Sequence, residues 1–172
     1  MTTKQPVYMV DIFTECCDAM RAGTVLSNVQ KPYSTYGRVV QILDYLQTIN
    51  NSISNGGNKY PLIALYQDFP ERRGVGYYAQ VTIPKIVIAC LTTDTDSPPD
   101  RYSKTFKPIL YPIYYEFLRQ FALHSSIVER EVDLIEHTKW DRVGTVKDGQ
   151  SEYIDSIEIT NLKLTLSQTK TC

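Results

Sequence analysis

Few residues of this chain have a type that does chemistry, and they are widely spaced. Two histidines (His124 and His137) and four cysteines occur among 172 residues. The cysteines show no CxxC spacing, so neither a zinc site nor a redox motif is indicated, and no glycine-rich phosphate loop occurs. The sequence therefore predicts no catalytic residue, no metal ligand set and no cofactor. We expect a protein that acts through its surfaces and is not an enzyme.

Two groups of polar residues leave other interpretations open. Cys17, His124 and Asp141 could meet in the fold as a nucleophile, a base and an orienting acid, which would make a small enzyme with a site built from distant residues. The acidic loop 93–96, with Asp100 nearby, has the composition of a cation site. It lacks the central glycine and the following glutamate of a calcium loop, so a solvated loop is favoured.

The charge balance disfavours nucleic-acid binding. Arg72, Arg73, Lys104 and Lys107 are the basic residues that could contact phosphate, but the chain has 18 Lys and Arg against 19 Asp and Glu. Binding to nucleic acid needs a concentrated positive field.

The tyrosine content is unusual, with thirteen tyrosines against five phenylalanines. Tyrosine suits both core edges and interface cores, and both uses stay open.

Apolar spacing predicts three helices. A helix over 7–21 carries the stripe Met9, Ile12, Phe13, Cys16 and Met20, and a second from Arg38 to about Ser54 follows a connector in which Ser34 or Thr35 acts as the N-cap. The third and strongest pattern runs from about Lys104 to His124, and Pro112 should start or kink its main part. The buried stripe of this helix is expected to contain Phe106, Ile109, Leu110, Ile113, Tyr114, Phe117, Leu118 and Phe121.

The strands are predicted from alternation and from apolar blocks. Tyr60–Tyr66 is a short strand, and Tyr77–Leu91 is a long one in which Pro84 predicts an edge position or a bulge. The apolar block Ile86–Leu91 is typical of a strand covered on both faces. The strand from Ile154 to Leu166 alternates in two phases, which predicts a bulge at Thr160-Asn161.

Polar segments separate these elements. Asp68–Gly76 and Thr92–Ser103 are predicted as loops, Lys139–Arg142 as a strand fragment and Lys147–Gln150 as a hairpin turn. The element order α-α-β-β-α-(β)-β predicts an α+β fold, with a mostly antiparallel β-sheet and amphipathic helices packed on it. We expect one domain over 1–172, with an N-terminal helix and connector (1–36), a core (37–167) and a flexible tail (168–172).

The start of the chain, its apolar runs and its cysteines bear on its location. The start lacks a basic region followed by an apolar stretch and a cleavage site. No apolar run approaches the length of a membrane span. A reducing cytoplasmic setting with free thiols is the expectation.

The central elements carry a resemblance to a known family. A strand ending in a polar loop leads to a long strand, then to an acidic, proline-bearing loop and an amphipathic helix, and the chain closes on an alternating strand; these are Tyr60–Tyr66, Asp68–Gly76, Ala79–Leu91, 92–103, Phe106–Phe121 and Ile154–Leu166. Over roughly residues 37–167 this order resembles the tail-terminator (tail-completion) proteins of long-tailed bacteriophages and prophages. A longer N-terminal part and a longer polar segment at 125–150 depart from that pattern.

The resemblance implies a structural role in a virion. Subunits of that family form a hexameric ring that caps the tail tube and joins it to the head connector, with no catalytic residues. The chain would then be assembled in the bacterial host cytoplasm and reside in the virion tail or neck, without a membrane and without direct nucleic-acid binding. A neck adaptor, a head-closure protein or a tail-tube component remains an alternative.

By position in the pattern, the two polar loops would contact neighbouring subunits or the tube. The residues expected there are Asp68, Phe69, Glu71, Arg72, Arg73, Tyr77, Asp94, Asp96, Arg101 and Tyr102. His124, His137, Trp140 and the acidic segment 129–136 receive no functional role from the sequence.

Overall fold

The computed structural model describes residues 5–6, 8–38, 40–42, 60–73, 78–93, 95–131, 134–143, 152–167 and 169–170. The strands are β1 (Gln5–Pro6), β2 (Tyr33–Gly37), β3 (Leu62–Tyr66), β4 (Glu71–Arg73), β5 (Tyr78–Thr92), β6 (Ile127–Glu131), β7 (Leu134–Val143), β8 (Glu152–Ser167) and β9 (Thr169–Lys170). The helices are α1 (Met9–Ala22), α2 (Pro98–Arg101), a π-helix (Tyr102–Leu110) and α3 (Tyr111–Leu123). The predicted second helix beyond residue 42 and the turn at 147–150 lie outside the described residues.

The fold is α+β with a mostly antiparallel sheet, as the sequence predicts. Seven strands form the main sheet in the order β2-β3-β5-β8-β6, with β4 beside β5 and β7 beside β8. β2 pairs with β3 in parallel, whereas the other ladders of this sheet are antiparallel. β1 and β9 form a separate two-stranded ladder.

α1, the π-helix and α3 form one layer on the sheet. The predicted stripe of α1 is confirmed, because Met9, Ile12, Phe13, Cys16 and Met20 are all buried. Phe13 meets Phe117 of α3 edge to face, with 6.1 Å between ring centroids. The stripe of the third predicted helix is also confirmed: six of its side chains are buried and two are half-buried against the same core.

That third helix begins earlier than expected. Ser97 and Asp100 form a capping box, and prolines occupy the first turn of α2, so the loop predicted to run to Ser103 ends before Pro98. Pro112 lies in the first turn of α3, where the π-helix gives way to the α-helix. Pro112, predicted to start or kink the main helix, therefore lies inside a longer helix, where it marks the change of helix type.

Two short strands replace predicted connectors. Ser34 and Thr35 do not cap a helix but lie in β2, where they pair with Ile63 and Ala64 of β3. Within the loop predicted at 68–76, Glu71–Arg73 forms β4 against β5. Both predictions were wrong for one reason: a short polar strand has little local signal, and its pairing partner stabilises it.

The predicted strand fragment at 139–142 is confirmed as part of a longer strand. β7 extends over Leu134–Val143 and pairs antiparallel with β8, while the chain segment before it contributes β6.

β5 and β8 change phase at the same level of the sheet. Their core-facing residues are Ala79, Val81, Ile83, Ile86, Ile88 and Cys90 on β5, and Ile157, Ile159, Leu162, Leu164 and Leu166 on β8. Ile83 pairs with Leu162 and Lys85 with Thr160, so Pro84 lies opposite Asn161 in an unbroken register. Asn161 adopts a φ of 52°. The predicted change of phase is confirmed, but the bulge predicted at Thr160-Asn161 is wrong for the β5–β8 ladder, in which neither strand carries an extra residue.

Pro84 does not mark an edge strand, because β5 is the central strand. β3 pairs with Ile86–Ala89 and β4 pairs with Ala79–Val81, so Pro84 falls between the ends of its two neighbours. The position suits a residue that has no N–H to donate to a ladder.

This level divides the sheet into two parts. The covered half contains β2, β3, β7 and the segments 85–92 of β5 and 152–160 of β8; the open half contains β4, β6 and the segments 78–83 of β5 and 162–167 of β8. The helix layer packs on one face of both halves. A second apolar cluster covers the other face of the covered half, and it contains Ile42, Tyr60, Leu62, Ala64, Val87, Ala89 and Ile154. The prediction that the block Ile86–Leu91 is covered on both faces is confirmed for Ile86–Cys90, whereas Leu91 at its end is 51% exposed.

Candidate assembly surface

The open half presents a polar row on its outer face. Arg72 pairs with Gln80, Gln80 with Thr165, and Thr165 with Glu129. Cross-strand partners lie on the same face of a sheet. The Thr165 hydroxyl lies 3.4 Å from the Glu129 carboxylate, to which it donates. The row therefore runs across four strands, from a cation at one edge to an anion at the other.

A shallow concavity lies along this row. Its volume is about 420 Å³, and the polar residues that line it are Gln80, Thr82, Glu129, Arg130, Lys163 and Thr165. Both charge signs are present and the space is open to solvent. Such a surface suits contact with another polar protein surface better than enclosure of a small apolar ligand.

The backbone at both edges of the open half points outward. Thr82 N–H donates to Pro70 O at 3.2 Å, and hydrogen-bonded pairs alternate along an antiparallel ladder. The backbone groups of Glu71 and Arg73 on β4 therefore face away from β5. Within the part of the chain that the structure describes, β4 pairs with no strand on that side.

The same alternation applies at the opposite edge. Ser167 N–H donates to Ser126 O at 2.9 Å, and Glu129 and Glu131 stand opposite Thr165 and Lys163. The N–H and C=O of Arg130, between them, face away from β8. β6 is the last strand of the described sheet on this side.

The residues predicted for the first loop lie in different environments. Asp68 is exposed and lies 3.4 Å from the Arg38 guanidinium. Phe69 is half-buried against the main core. Glu71 and Arg73 form an ion pair of 2.7 Å on one face of β4, and Arg72 projects from the other face. Arg72 and Arg73 therefore do not act together on one phosphate.

Of the residues predicted for the second loop, Asp96 and Arg101 are held by ion pairs. Asp96 forms an ion pair with Lys104, and the hydrogen bond from Lys104 holds the pKa of Asp96 below its usual value. Tyr77 and Asp94 lie outside the described residues. Arg101 and Tyr102 lie on the helix that replaces the end of this loop.

Arg101 is committed to a buried polar cluster. Its Nε donates to Asp155 Oδ1 at 2.6 Å, and Thr105 Oγ1 donates to Asp155 Oδ2 at 2.6 Å. Asp155 is fully buried and the Arg101 side chain is 16% exposed. The cluster ties the start of the long helix to β8, so Arg101 contributes to the stability of the fold.

A row of tyrosines follows the outside of the same helix. The ring of Tyr111 lies 6.4 Å from that of Tyr102 and 6.3 Å from that of Tyr115. Tyr102 is 52% exposed and Tyr115 is 66% exposed. Tyr102 was predicted as an interface residue and Tyr115 was not, although the spacing of four residues between Tyr111 and Tyr115 places both rings on one side of a helix. Exposed aromatic rings are enriched where proteins contact one another.

The three cysteines that the structure describes, Cys16, Cys17 and Cys90, lack the properties of a nucleophile. Burial raises the pKa of Cys17 to about 12, and burial likewise raises the pKa values of Cys16 and Cys90 to about 12. A thiol is reactive as the thiolate, which such pKa values suppress at neutral pH. His124 lies 3.0 Å from the Glu15 carboxylate through Nε2. The raised pKa of the buried Cys17 thiol weighs against its use as the nucleophile of such a site.

Among the described residues, no three or more His, Cys, Asp or Glu side chains converge on a point where they could hold a metal ion. In the same part of the chain, no helix combines the length and the apolar character needed to cross a membrane.

No protein-family model matches the chain, and no curated protein matches its sequence.

Proposed function

We propose that this chain is a structural subunit of a long-tailed phage or prophage, of the tail-terminator kind. Copies of it form a ring that caps the tail tube and presents a second surface to the head connector. The ring is hexameric in the family that the sequence resembles. The protein then resides in the virion tail or neck and acts without catalysis.

The observation that carries the proposal is the open half of the sheet. A ring subunit needs two different, complementary patches, because each copy contacts one neighbour through one patch and the other neighbour through the second. The open half offers such patches at its two edges, β4 and β6, which point in opposite directions. Unpaired strand edges are otherwise a liability for a monomer.

The outer face of the open half and the tyrosine row supply further contact surface. The first is polar and carries Arg72, Lys163 and Glu129, while the second presents Tyr102 and Tyr115. They lie on opposite sides of the sheet, because the helix that bears the tyrosines packs on the covered face of the open half. A ring that lies between a tube and a connector requires separate surfaces of this kind.

Native mass across a concentration series tests the proposal. Mass photometry or light scattering should find a closed species near six copies, alone or after addition of the tail-tube protein. Co-sedimentation with assembled tubes then reports capping. A chain that stays monomeric at high concentration and binds neither tube nor connector would overturn the proposal.

The identity of the bound partner separates this role from its near alternatives. A terminator binds the end of the tube and stops its growth, whereas a tube component is incorporated along its length. A neck adaptor or head-closure protein binds the connector in the absence of the tube. Electron microscopy of tubes grown with the protein present distinguishes these outcomes.

A further inference from the structure

The two edges of the open half complement each other in direction. β4 runs antiparallel to β5, β5 to β8, and β8 to β6. β6 therefore runs opposite to β4. When successive copies are related by rotation about a ring axis along the strands, each copy keeps its strand directions. β6 of one copy then approaches β4 of the next in the antiparallel sense.

The two edges also match in their backbone groups. Glu71 and Arg73 turn their N–H and C=O groups outward on β4, and Arg130 does so on β6, because hydrogen-bonded pairs alternate along both ladders. An antiparallel register that places Glu71 opposite Arg130 makes these two residues a hydrogen-bonded pair. In the same register Arg72 stands opposite Glu129.

This register also matches charges on each face. Arg72 and Glu129 both lie on the outer face, because both belong to the row that includes Gln80 and Thr165. Glu71 and Arg130 both lie on the helix side, where Arg130 Nη1 donates to Leu118 O at 2.7 Å. Both cross-edge pairs are therefore of opposite charge and on a common face. Opposite charges directly across a ladder are favourable, and like charges are unfavourable.

We infer that β4 of one copy adds to β6 of the next copy, with Arg72 opposite Glu129 and Glu71 opposite Arg130, so that the open halves join into one continuous sheet around the ring. The partner of this surface is a second copy of the chain. The inference rests on the ring proposed above and names the contact that closes it.

Charge reversal tests the pairing on the full-length chain. Arg72→Glu and Glu129→Arg each place like charges at every junction, so each should raise the protein concentration needed for half-assembly by about tenfold or more. The double variant R72E/E129R restores opposite charges within each junction. It should assemble within about threefold of the wild-type concentration.

A mixture of the two single variants gives a second rescue. When Arg72→Glu and Glu129→Arg copies alternate, both kinds of junction carry opposite charges, so an equimolar mixture should form rings that neither variant forms alone. Lys107→Glu and Asp11→Arg serve as matched controls, since both residues are exposed helix positions away from the two edges. These controls should assemble as the wild type does.

The outcomes separate the two proposals. If both single variants form rings as well as the wild type does, the proposed edge pairing is wrong. The proposal that the chain forms a ring would still stand. Loss of assembly without rescue, in either the double variant or the mixture, would also overturn this pairing. A wild-type chain that never assembles, with or without the tube protein, would overturn the proposed function itself. Circular dichroism of the monomers shows that each variant is folded.

Discussion

The covered half and the open half of the sheet are built on the same two strands, yet they serve different ends. In the covered half, β5 and β8 bury side chains on both faces, such as Val87 and Ile154 on the second face. In the open half the corresponding positions are polar, such as Thr82 and Lys163. One half therefore stabilises the fold, and the other presents a surface without weakening the core that both share.

The boundary between the halves is where Pro84 meets Asn161. At this level the alternation of side chains between the two faces shifts by one residue in both strands. Each strand therefore keeps its apolar residues on the side of the helices. Farther along the covered half, Asp155 holds Arg101 and the start of the long helix. The Arg101–Asp155 ion pair is thus buried in the covered half, whereas Arg72, Glu129 and Lys163 of the open half are exposed.

The largest effect is expected at the buried cluster. Asp155→Ala leaves the Arg101 guanidinium without its carboxylate and should lower the free energy of unfolding by about 3–5 kcal/mol. Glu129→Ala in the open half should change it by less than about 0.5 kcal/mol. Urea unfolding of the two variants measures the contrast. Similar values for both would mean that burial does not distinguish the halves.

Two positions on one strand give the next largest contrast. Ile154→Ala removes a side chain that is 2% exposed on the second face of the covered half and should cost about 2–5 kcal/mol. Lys163→Ala, on the outer face of the open half, should be nearly neutral. The midpoints of urea unfolding test this pair. A cost at Lys163 equal to that at Ile154 would contradict the assignment of an open face.

The boundary itself can be tested at Asn161. Its positive φ is tolerated by Asn and Gly but strained for a β-branched residue, so Asn161→Val should cost about 1–2 kcal/mol. Asn161→Gly should leave stability nearly unchanged. Lys163→Val, on the same strand but two residues beyond the boundary, is the control and should not show this cost. A harmless Asn161→Val would show that the strand tolerates another conformation there.

Hydrogen exchange compares the halves within one strand. Amides of residues 86–90 should exchange at least about tenfold more slowly than those of residues 79–83, because only the former segment is covered on both faces. Assembly into a ring should in addition slow exchange in β4 and β6, the two edges of the open half. Uniform protection along β5 in the monomer would remove the basis for dividing the sheet.

The smallest effect concerns the helix layer that both halves share. The hydrogen bond from Arg119 holds the pKa of the buried Glu116 below its ordinary value of 4.5. A lowered pKa in the folded state adds stability above the unfolded pKa, and that stability is lost as pH falls through the folded pKa. Wild type should therefore lose more stability than Glu116→Gln between pH 6 and pH 3. Parallel pH profiles of the two proteins would contradict this.

The candidate surface was only partly predictable. The sequence analysis named Arg72 and its neighbours from a polar, glycine-bearing segment. It gave Glu129 no role, and it did not single out Gln80 or Thr165. These residues come from strands far apart in the chain, and their common row depends on register, which local patterns do not determine.

The ion pair between Arg101 and Asp155 could not be predicted from the sequence, for a related reason. As part of a polar segment it reads as a surface residue. Its carboxylate partner, Asp155, lies 54 positions away in the sequence. Only the packing of the helix start against β8 brings the two charges together.

What the sequence by itself determined are the features that repeat along a short stretch of chain. Helical stripes, the two phases of β8 and the block after Pro84 each record which side of an element avoids water, so they predicted the α+β class and most of the core. The tertiary structure alone decided the short strands β2 and β4, the order of the sheet, the pairing of Arg101 with Asp155 and the polar row of the open half. Those features depend on contacts between distant residues, whose free energy is gained only when the chain has folded.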